Sequence, residues 1–584
     1  MTPPGPESVL IRNPDRKSWY LFDGPGRVLS ATDHAGVIPL LREVEDAVES
    51  RGLCAAGFIS YEASPAFDAA LHTHPPDGFP LAWFRLCSSC TEIDDAGLPA
   101  LPGEGEPLRW NATVSEDEYR AAIRQIRNRI AEGDTYQVNY SYRLRSAFTG
   151  DPLVFFRRIA AAQQTPFCAY LNTGRYAVCS ASPELFFSLN GTTLTSRPMK
   201  GTSPRGTTNG DDRTCGERLR LSEKDRAENV MIVDMMRNDM GRVARTGTVR
   251  VRDLFALEKY PTLWQLTSTV EAETDAGVTD LLCALFPAAS ITGAPKPATM
   301  EIIRQIEPAP RRIYTGAIGT LFPGRKATFS VAIRTALVDL QAGSAEYGVG
   351  GGIVWRSTEE KELAESRIKA SVVLEPQPEF SLLETMLWKT GEGYLLLEDH
   401  LGRMAESADY FSFRFSAESA RACLAQLSLS FRTPAHRVRL LADRNGRMTA
   451  EPEPRIPPAH DVLPVVRLAS APVDSSDRFL YHKTTHRSTY ERARSGVEAC
   501  DDVMLWNERG ELTESTIANL VAEIDGRLVT PPVTSGLLPG VYRRRMLEEG
   551  KVHEGVVTRS DLSRVTGLFL MNSVRGIYPV RLIR

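Results

Sequence analysis

The sequence predicts an α+β protein of two domains. Its 584 residues exceed what one hydrophobic core organises. Helical and strand periodicities are mixed along the first part of the chain, without the regular alternation of a parallel α/β fold. Glu375-Pro-Gln-Pro-Glu379 then interrupts the chain with prolines that cannot continue a helix, ahead of a new apolar start at Phe380-Ser-Leu-Leu. The first domain is therefore placed at residues 1–375 and the second at 379–584. A further proline-rich stretch, residues 451–458, reads as a surface loop of the second domain.

Bulk composition narrows the function. With 42% hydrophobic and 24% charged residues the chain reads as soluble and globular. Lys and Arg number 69 against 73 Asp and Glu, a net charge of -4, which removes the electrostatic case for a nucleic-acid partner. Met1-Thr-Pro-Pro-Gly-Pro has no charged segment leading into an apolar core, so no secretory signal is expected. No run of ~18 apolar residues occurs, so no membrane span is expected. The 9 cysteines are odd in number and scattered, as expected of reduced thiols in the cytoplasm. Cys87-Ser-Ser-Cys90 has no second pair to complete a zinc site.

The elements follow from periodicity. Tyr119, Ile123, Ile126 and Ile130 fall at helical spacing, and the pattern stops at Gly133. Tyr136, Val138, Tyr140, Tyr142 and Leu144 then alternate with Gln137, Asn139, Ser141 and Arg143, a strand whose polar face is expected in solvent. A helix after Glu223 places Asp225 and Glu228 on one face, and its apolar continuation through residues 230–236 is too hydrophobic for a surface helix. A second helix is expected to open with a capping box at Ser357 and Glu360, and it aligns Glu362, Glu365 and Lys369. Paired carboxylates on two helices suit a hard cation such as Mg²⁺. From spacing alone, solvated surface charge is the readier reading.

No histidine lies between His74 and His400, so chemistry there must use carboxylates, lysines or a metal. Ser290-Ile-Thr-Gly-Ala-Pro-Lys-Pro reads as a helix start whose free amides suit a carboxylate. Gly348-Val-Gly-Gly-Gly-Ile353 lets a ligand approach bare backbone. Residues 327–334 read as one strand ending on Arg334, which can pair a carboxylate through two hydrogen bonds. Together these features point to a small polycarboxylate substrate.

In the tail, Asp525-Gly526 between two apolar runs marks a two-residue hairpin. Leu538-Pro-Gly-Val-Tyr-Arg543 leads into a helix stopping near Gly550, and the amides after Gly540 form a phosphate seat. Lys483, in His482-Lys-Thr-Thr-His-Arg487, reads from its polar neighbours as a surface residue.

Set in order, Gly133-Asp-Thr-Tyr-Gln-Val-Asn139, Ser182-Pro-Glu-Leu-Phe186, Arg197-Pro-Met-Lys-Gly-Thr202, the helix through residues 225–243, residues 290–296, residues 329–335 and residues 350–369 resemble the chorismate-utilising enzymes. A weaker match is Gly57-Phe-Ile-Ser-Tyr-Glu62. That family includes anthranilate, isochorismate and salicylate synthases and aminodeoxychorismate synthase component I. The resemblance implies a large α/β sandwich in which Glu228 and Glu365 bind Mg²⁺, supported by Asp225 and Glu362. It implies that Glu184 protonates the departing C4 hydroxyl, and that Tyr314, Arg334, Lys369, Thr292 and the backbone at Gly350 and Gly352 bind carboxylates. Gln137 stands where the water-activating members carry a lysine. Lys200 stands where anthranilate synthases carry alanine, and it resembles the nucleophile of aminodeoxychorismate synthase. Met199 replaces the commoner isoleucine at similar volume. Ammonia would come from a separate glutamine amidotransferase subunit, since no Gly-x-Cys-x-Gly elbow was recognised in the sequence.

The residues from 380 onward resemble the fold-type IV pyridoxal-phosphate enzymes, an α+β fold that includes branched-chain and D-amino-acid aminotransferases and aminodeoxychorismate lyase. The resemblance implies that Lys483 carries pyridoxal 5'-phosphate and that Glu514 keeps its ring nitrogen protonated. Arg403, the backbone at Val541 and Tyr542, and Asn572-Ser573 would hold the phosphate. Arg487 resembles the lyase rather than the transaminases, and the lyase would use the first domain's product. The expected activity is amination of chorismate to 4-amino-4-deoxychorismate, followed by loss of pyruvate to give 4-aminobenzoate. The alternatives are a fused aminotransferase and a non-catalytic chorismate sensor.

Overall fold

Helix Glu116–Ala131 opens on a capping box, in which Ser115 Oγ accepts from the Glu118 amide and the Glu118 carboxylate accepts from the Ser115 amide. Tyr119, Ile123 and Ile126 are buried along one stripe, each contributing roughly 1.5–3 kcal/mol of transfer free energy. They pack on Val138, Tyr140, Tyr142 and Leu144 of strand Gln137–Ala147. The computed structural model describes residues 5–16, 18–98, 108–374, 378–453, 463–495, 497 and 500–583. The proline linker expected at 375–379 and the loop expected at 451–458 lie partly outside them. Residues up to Pro204, with those from Gly216 to the linker, form one compact unit; Arg205–Cys215 and the residues from Pro378 onward form the other.

The first unit is built on two ten-stranded sheets. One centres on Gln137–Ala147, Ser344–Val354, Thr335–Asp339 and Tyr176–Ser182; the other on Leu263–Glu273, Thr193–Arg197, Leu185–Asn190 and Lys326–Val331. Val9, Leu171, Val178 and Leu337 of the first meet Ala56, Phe58, Trp83 and Ile318 of the second, so the sheets pack face to face. Helices Glu116–Ala131, Pro152–Gln163, Lys296–Ile306 and Glu359–Leu374 cover the first sheet. Helices His34–Glu49, Glu223–Gly241 and Val278–Leu285 cover the second. The result is an α/β sandwich of four layers.

This layering corrects four sequence expectations. The polar face of Gln137–Ala147 is buried: Gln137, Asn139, Ser141 and Arg143 are all withdrawn from solvent. Their side of the strand meets a polar interior where the Ser141 amide donates to Glu307 Oε1 at 2.8 Å and Arg311 Nη2 donates to the Asn139 carbonyl at 2.6 Å. The strand expected at 327–334 ends at Val331, and Arg334 adopts a left-handed φ of 50°. There the chain leaves one sheet and enters the other at Thr335–Asp339, a crossing that needs a sharp bend. The helix expected at Ser290 begins at Lys296, after a short 3-10 turn at Ala289–Ile291. The helix expected to be boxed by Ser357 and Glu360 begins at Glu359, and Ser357 Oγ instead accepts from the Val354 amide at 3.1 Å.

The second unit holds a four-stranded sheet, Gly393–Tyr394, Leu382–Lys389, Ala435–Ala442 and Met448–Glu453, covered by helices Leu397–Phe411 and Ala417–Ser428. A nine-stranded mixed sheet follows, with Asn519–Ile524, Leu512–Ser515 and Asp502–Trp506 near its centre. The Asp525-Gly526 hairpin forms as expected: both residues have positive φ, at 52° and 74°, and Ile524 pairs with Arg527. All 9 cysteines are free thiols. Among the described residues no helix is long and apolar enough to cross a membrane.

Candidate active sites

Chain crossings between the sheets place the first site. Glu184 follows strand Tyr176–Ser182 of one sheet and precedes Leu185–Asn190 of the other, so it sits at a switch like that of Arg334. Both line one pocket with Lys200, Tyr314, Gly350, Gly352, Lys369, Asp225, Glu228, Glu362 and Glu365. Thus most residues expected in the first site share a single cavity.

Glu184 accepts a 2.5 Å hydrogen bond from Ser290 Oγ. Burial pushes its carboxyl up to about 7, against the opposing pull of Ser290, the Met199 amide, Lys200 and Lys369. A carboxyl poised there can deliver a proton near neutral pH. Strand Ser344–Val354 supplies the floor, and its glycines are required by close approach. A Cβ on Gly352 would stand 2.1 Å from Lys200 Nζ and 3.3 Å from Gln137 Oε1, so both side chains meet over that bare backbone. A Cβ on Gly348 would stand 2.2 Å from the Tyr314 ring.

Several buried polar atoms here have no hydrogen-bond partner: both amide atoms of Gln137, Asn139 Nδ2 and Glu228 Oε1. Orphaned groups in a polar cleft are what a bound ligand would satisfy. Thr292 departs from expectation. It lies outside the pocket lining and its hydroxyl donates to the Ala288 carbonyl at 3.0 Å, while Ser290 and Ile291 take the wall position. Arg334 donates to Gln163 Oε1 and lies 5.9 Å from the Tyr260 ring centre.

The carboxylates face the pocket as two pairs on two helices. Glu365 bonds Lys369 Nζ at 2.8 Å, and Glu228 stands 3.7 Å from Lys224 Nζ. Lys369 holds Glu365 below its ordinary value, whereas burial and then the neighbouring Glu365 raise Glu362. Among the described residues no three His, Cys, Asp or Glu side chains are gathered closely enough to hold a metal ion. The donor chemistry nonetheless fits a hard divalent cation: besides Glu184, four carboxylates line the cavity, and Glu228 Oε1 is buried without a hydrogen bond. Lys224 and Tyr347 also line this pocket and were not singled out from sequence. Lys224 carried a signal, standing four residues before Glu228 on the same helix.

The second unit's site centres on Lys483, which is not the surface residue its neighbours suggested. Its carbonyl accepts from the Leu383 amide at 3.0 Å, and burial, then the charge of Arg403, lowers its amine to about 8. Glu384, Arg487 and Glu514 also act on it electrostatically. Glu514 accepts from Tyr490 Oη at 2.8 Å, the Leu538 amide at 3.1 Å and Asn519 Nδ2 at 3.1 Å, and burial raises it to about 7.

Arg403 holds Glu384 through Nε at 2.8 Å and Nη2 at 2.7 Å, and donates from Nη1 to the Pro539 carbonyl at 3.2 Å. These contacts use three of a guanidinium's five donors. Burial alone would raise Glu384, but Arg403 and His400 bring it down to about 2. Helix Val541–Glu548 starts without a side-chain cap, leaving the first amides, including those of Val541 and Tyr542, open to an anion. Asn572 Oδ1 accepts from the amides of Val574 and Arg575, so it closes its own turn beside Ser573. An amine near 8, a buried carboxyl and an uncapped helix start fit a pyridine phosphate cofactor. Glu384 and Tyr490 were not singled out from sequence. Glu384 carried one signal, a lone carboxylate in the apolar strand Leu382–Lys389.

Comparison with known proteins agrees with the two units. Residues 6–375 match the family described as chorismate binding enzyme, and residues 381–583 match amino-transferase class IV. Aminodeoxychorismate synthase component 1 of Salmonella typhimurium is 42% identical over 269 residues, 46% of this chain and 59% of that protein. The protein of the same name from Bacillus subtilis is 40% identical, over 44% of this chain and 55% of its own length. Anthranilate synthase component 1 of Thermus thermophilus is 37% identical, over 47% and 60%. The chain thus spans 55–60% of the length of these relatives. Anthranilate synthase component I from Streptococcus pneumoniae superimposes with a TM-score of 0.51 at 24% identity, covering 63% of this chain and 90% of that one. The menaquinone-specific isochorismate synthase of Escherichia coli gives 0.50 at 18%, covering 63% and 87%. These two likenesses establish the fold.

Proposed function

Since the chain belongs to the chorismate binding enzyme family, we propose that its first unit aminates chorismate to 4-amino-4-deoxychorismate and that its second expels pyruvate from that product, leaving 4-aminobenzoate. The observation that carries this reading is the meeting of Lys200 with the unpartnered Gln137 over Gly352, in a pocket that also holds Glu184. An amide at position 137 cannot take a proton from water, which disfavours hydration of the substrate. A primary amine at position 200 can attack carbon.

In the proposed sequence Lys200 Nζ forms a bond to C2, both ring double bonds shift (C1=C2 to C1=C6 and C5=C6 to C4=C5), and the C4–O bond breaks. The hydroxyl leaves as water with the proton of Glu184. Ammonia then adds at C4, both double bonds shift back, and the C2–N bond to Lys200 breaks. Nitrogen finishes at C4 because two such shifts cancel, whereas direct addition of ammonia at C2 would lead towards the 2-amino isomer. Arg334, Lys369 and Tyr314 bind the two carboxylates. Glu228 and Glu365, with Asp225 and Glu362, would hold Mg²⁺, which neutralises charge on the substrate when bound.

In the second unit Lys483 would carry pyridoxal 5'-phosphate, which supplies an electron sink when bound. Lys483 Nζ takes the proton from C4 of the substrate, and an amine near 8 is partly neutral at working pH. Glu514, fixed by Tyr490 and Asn519, would pair with the ring nitrogen and keep it protonated. The uncapped amides at Val541 and Tyr542, with Arg403, would hold the phosphate.

A second reading, that this unit is an aminotransferase, is favoured by the description of the family that residues 381–583 match. Release of pyruvate without need for a 2-oxo acid separates the two. We place the protein in the cytoplasm and assign ammonia delivery to a separate glutamine amidotransferase subunit. The purified chain should consume chorismate with ammonium and Mg²⁺ but not with glutamine. Absence of chorismate turnover with saturating ammonium and Mg²⁺ would overturn the reading.

A further inference from the structure

Between the strand that carries Lys200 and the helix that carries Asp225 lies a stretch, Arg205–Cys215, that belongs to the second unit. A buried ion pair within it holds Arg205 in place to bond Tyr410. Arg205 donates to both carboxylate oxygens of Asp212, from Nε at 2.6 Å and from Nη2 at 2.8 Å, and both side chains are almost wholly enclosed. The same Nη2 donates to the Tyr410 carbonyl at 2.8 Å, and the guanidinium lies 4.5 Å from the centre of the Tyr410 ring. Tyr410 Oη returns a hydrogen bond to the Gly206 carbonyl at 2.7 Å.

The contacts converge on His482, the residue before Lys483. Its ring stacks on Tyr410 at 4.3 Å. Nε2 lies 3.2 Å from the Thr207 carbonyl and Nδ1 lies 3.0 Å from Ser407 Oγ. A carbonyl only accepts, so Nε2 carries the proton and Nδ1 accepts from the serine. Burial brings the imidazole down to about 3, so the ring stays neutral and this pattern does not change across working pH. On the other side of the same backbone, the Lys483 carbonyl is held by the Leu383 amide. The amine itself feels Arg403, Glu384, Arg487 and Glu514.

We propose that Arg205, Asp212 and Thr207 act through His482 as positioning residues for Lys483, so that a segment from within the first unit's sequence completes the second unit's site. The inference goes beyond the proposed lyase reaction and rests on Lys483 being the cofactor lysine. Loss of the clamp frees residues 482–483, and the amine then moves out of the buried position that lowers it.

The test uses the full chain, freed of cofactor, and reads the acylation of Lys483 against pH by peptide mass spectrometry. In the wild type the midpoint should lie near 8. The paired substitution Arg205→Met with Asp212→Leu removes both charges together, so the fold should survive while the guanidinium's hydrogen bond and ring contact to Tyr410 are lost. It should move the midpoint up by about one unit or more, a roughly tenfold fall in labelling at pH 8. His482→Phe keeps the stacking surface and loses both hydrogen bonds, and it should shift the midpoint the same way, whereas His482→Gln, which retains an N–H donor, should shift it less. With cofactor restored, kcat for pyruvate release from supplied 4-amino-4-deoxychorismate should fall about tenfold with KM within about twofold. Unchanged midpoints in both the paired variant and His482→Phe would overturn the inference. If Lys483→Ala retains the cofactor's visible absorbance, it is the assignment of the cofactor lysine that fails instead.

Discussion

Lys369 in the first site and Lys483 in the second are both partly buried, yet their charges move in opposite directions. Burial works against the charged form of each. For Lys369 the contact with Glu365 at 2.8 Å outweighs it and raises the amine. For Lys483 the nearby Arg403 adds to it, and the amine falls to about 8. The glutamates make the opposite comparison. Glu184 and Glu514 are both raised to about 7, each by burial and each beside one hydroxyl donor, Ser290 or Tyr490. The lesson is that enclosure drives each group towards its neutral form, and only a close opposite charge, as Glu365 is for Lys369, reverses that direction. A lysine held charged binds a carboxylate; a lysine held partly neutral does chemistry.

The largest expected effect breaks the comparison at one side only. Lys483→Ala should abolish pyruvate release, by ~1,000-fold or more, and remove the visible absorbance of bound cofactor. Chorismate consumption should stay within about twofold, because the first site's groups are complete within its own unit. Accumulated 4-amino-4-deoxychorismate, detected by chromatography and mass, is the expected product. An undiminished yield of 4-aminobenzoate would place the reactive lysine elsewhere.

The mirror-image variant is Glu365→Gln, which removes the proposed metal ligand and the partner of Lys369 together. Chorismate turnover in Mg²⁺ should fall about 100-fold, with lyase activity on supplied intermediate retained. Full synthase activity in this variant would show that the metal is held by other groups. A smaller effect reads the lysines themselves. In the chain freed of metal and cofactor, Lys483 should acylate with a midpoint near 8, and Lys369 only above its ordinary range. Coincident midpoints would remove the contrast on which the comparison stands.

The smallest effect concerns Ser290. Its hydroxyl favours the ionised form of Glu184, so Ser290→Ala should raise that carboxyl further above about 7. At roughly 1 kcal/mol for the bond, the alkaline limb of amination at fixed free ammonia should move up by about 0.7 unit. A limb that stays put or moves down would mean another group supplies the proton.

Local features were legible in the sequence where one element settles them. Helix Glu116–Ala131 and the Asp525-Gly526 turn follow from spacing and backbone preference within a few residues. The two carboxylate pairs were visible as helix faces for the same reason. What the sequence hid is the second sheet. It turns the polar side of Gln137–Ala147 inward, and it places Arg334 and Glu184 on crossings rather than on strands. Partners far apart in the chain, such as Ser290 for Glu184 or Tyr490 for Glu514, leave no periodic trace. Lys483 was misread for a related cause: its polar neighbours suggested solvent, but His482 is buried against Tyr410 and a segment more than two hundred residues earlier.

The most direct test of the central claim is to identify the products when the purified chain is given chorismate, ammonium and Mg²⁺, with and without pyridoxal 5'-phosphate. With the cofactor, 4-aminobenzoate and pyruvate should appear in equal amounts and no 2-oxo acid should be required. Without it, the reaction should stop at 4-amino-4-deoxychorismate. Formation of the 2-amino isomer, amino transfer to 2-oxoglutarate without pyruvate, or chorismate left unconsumed would contradict the account.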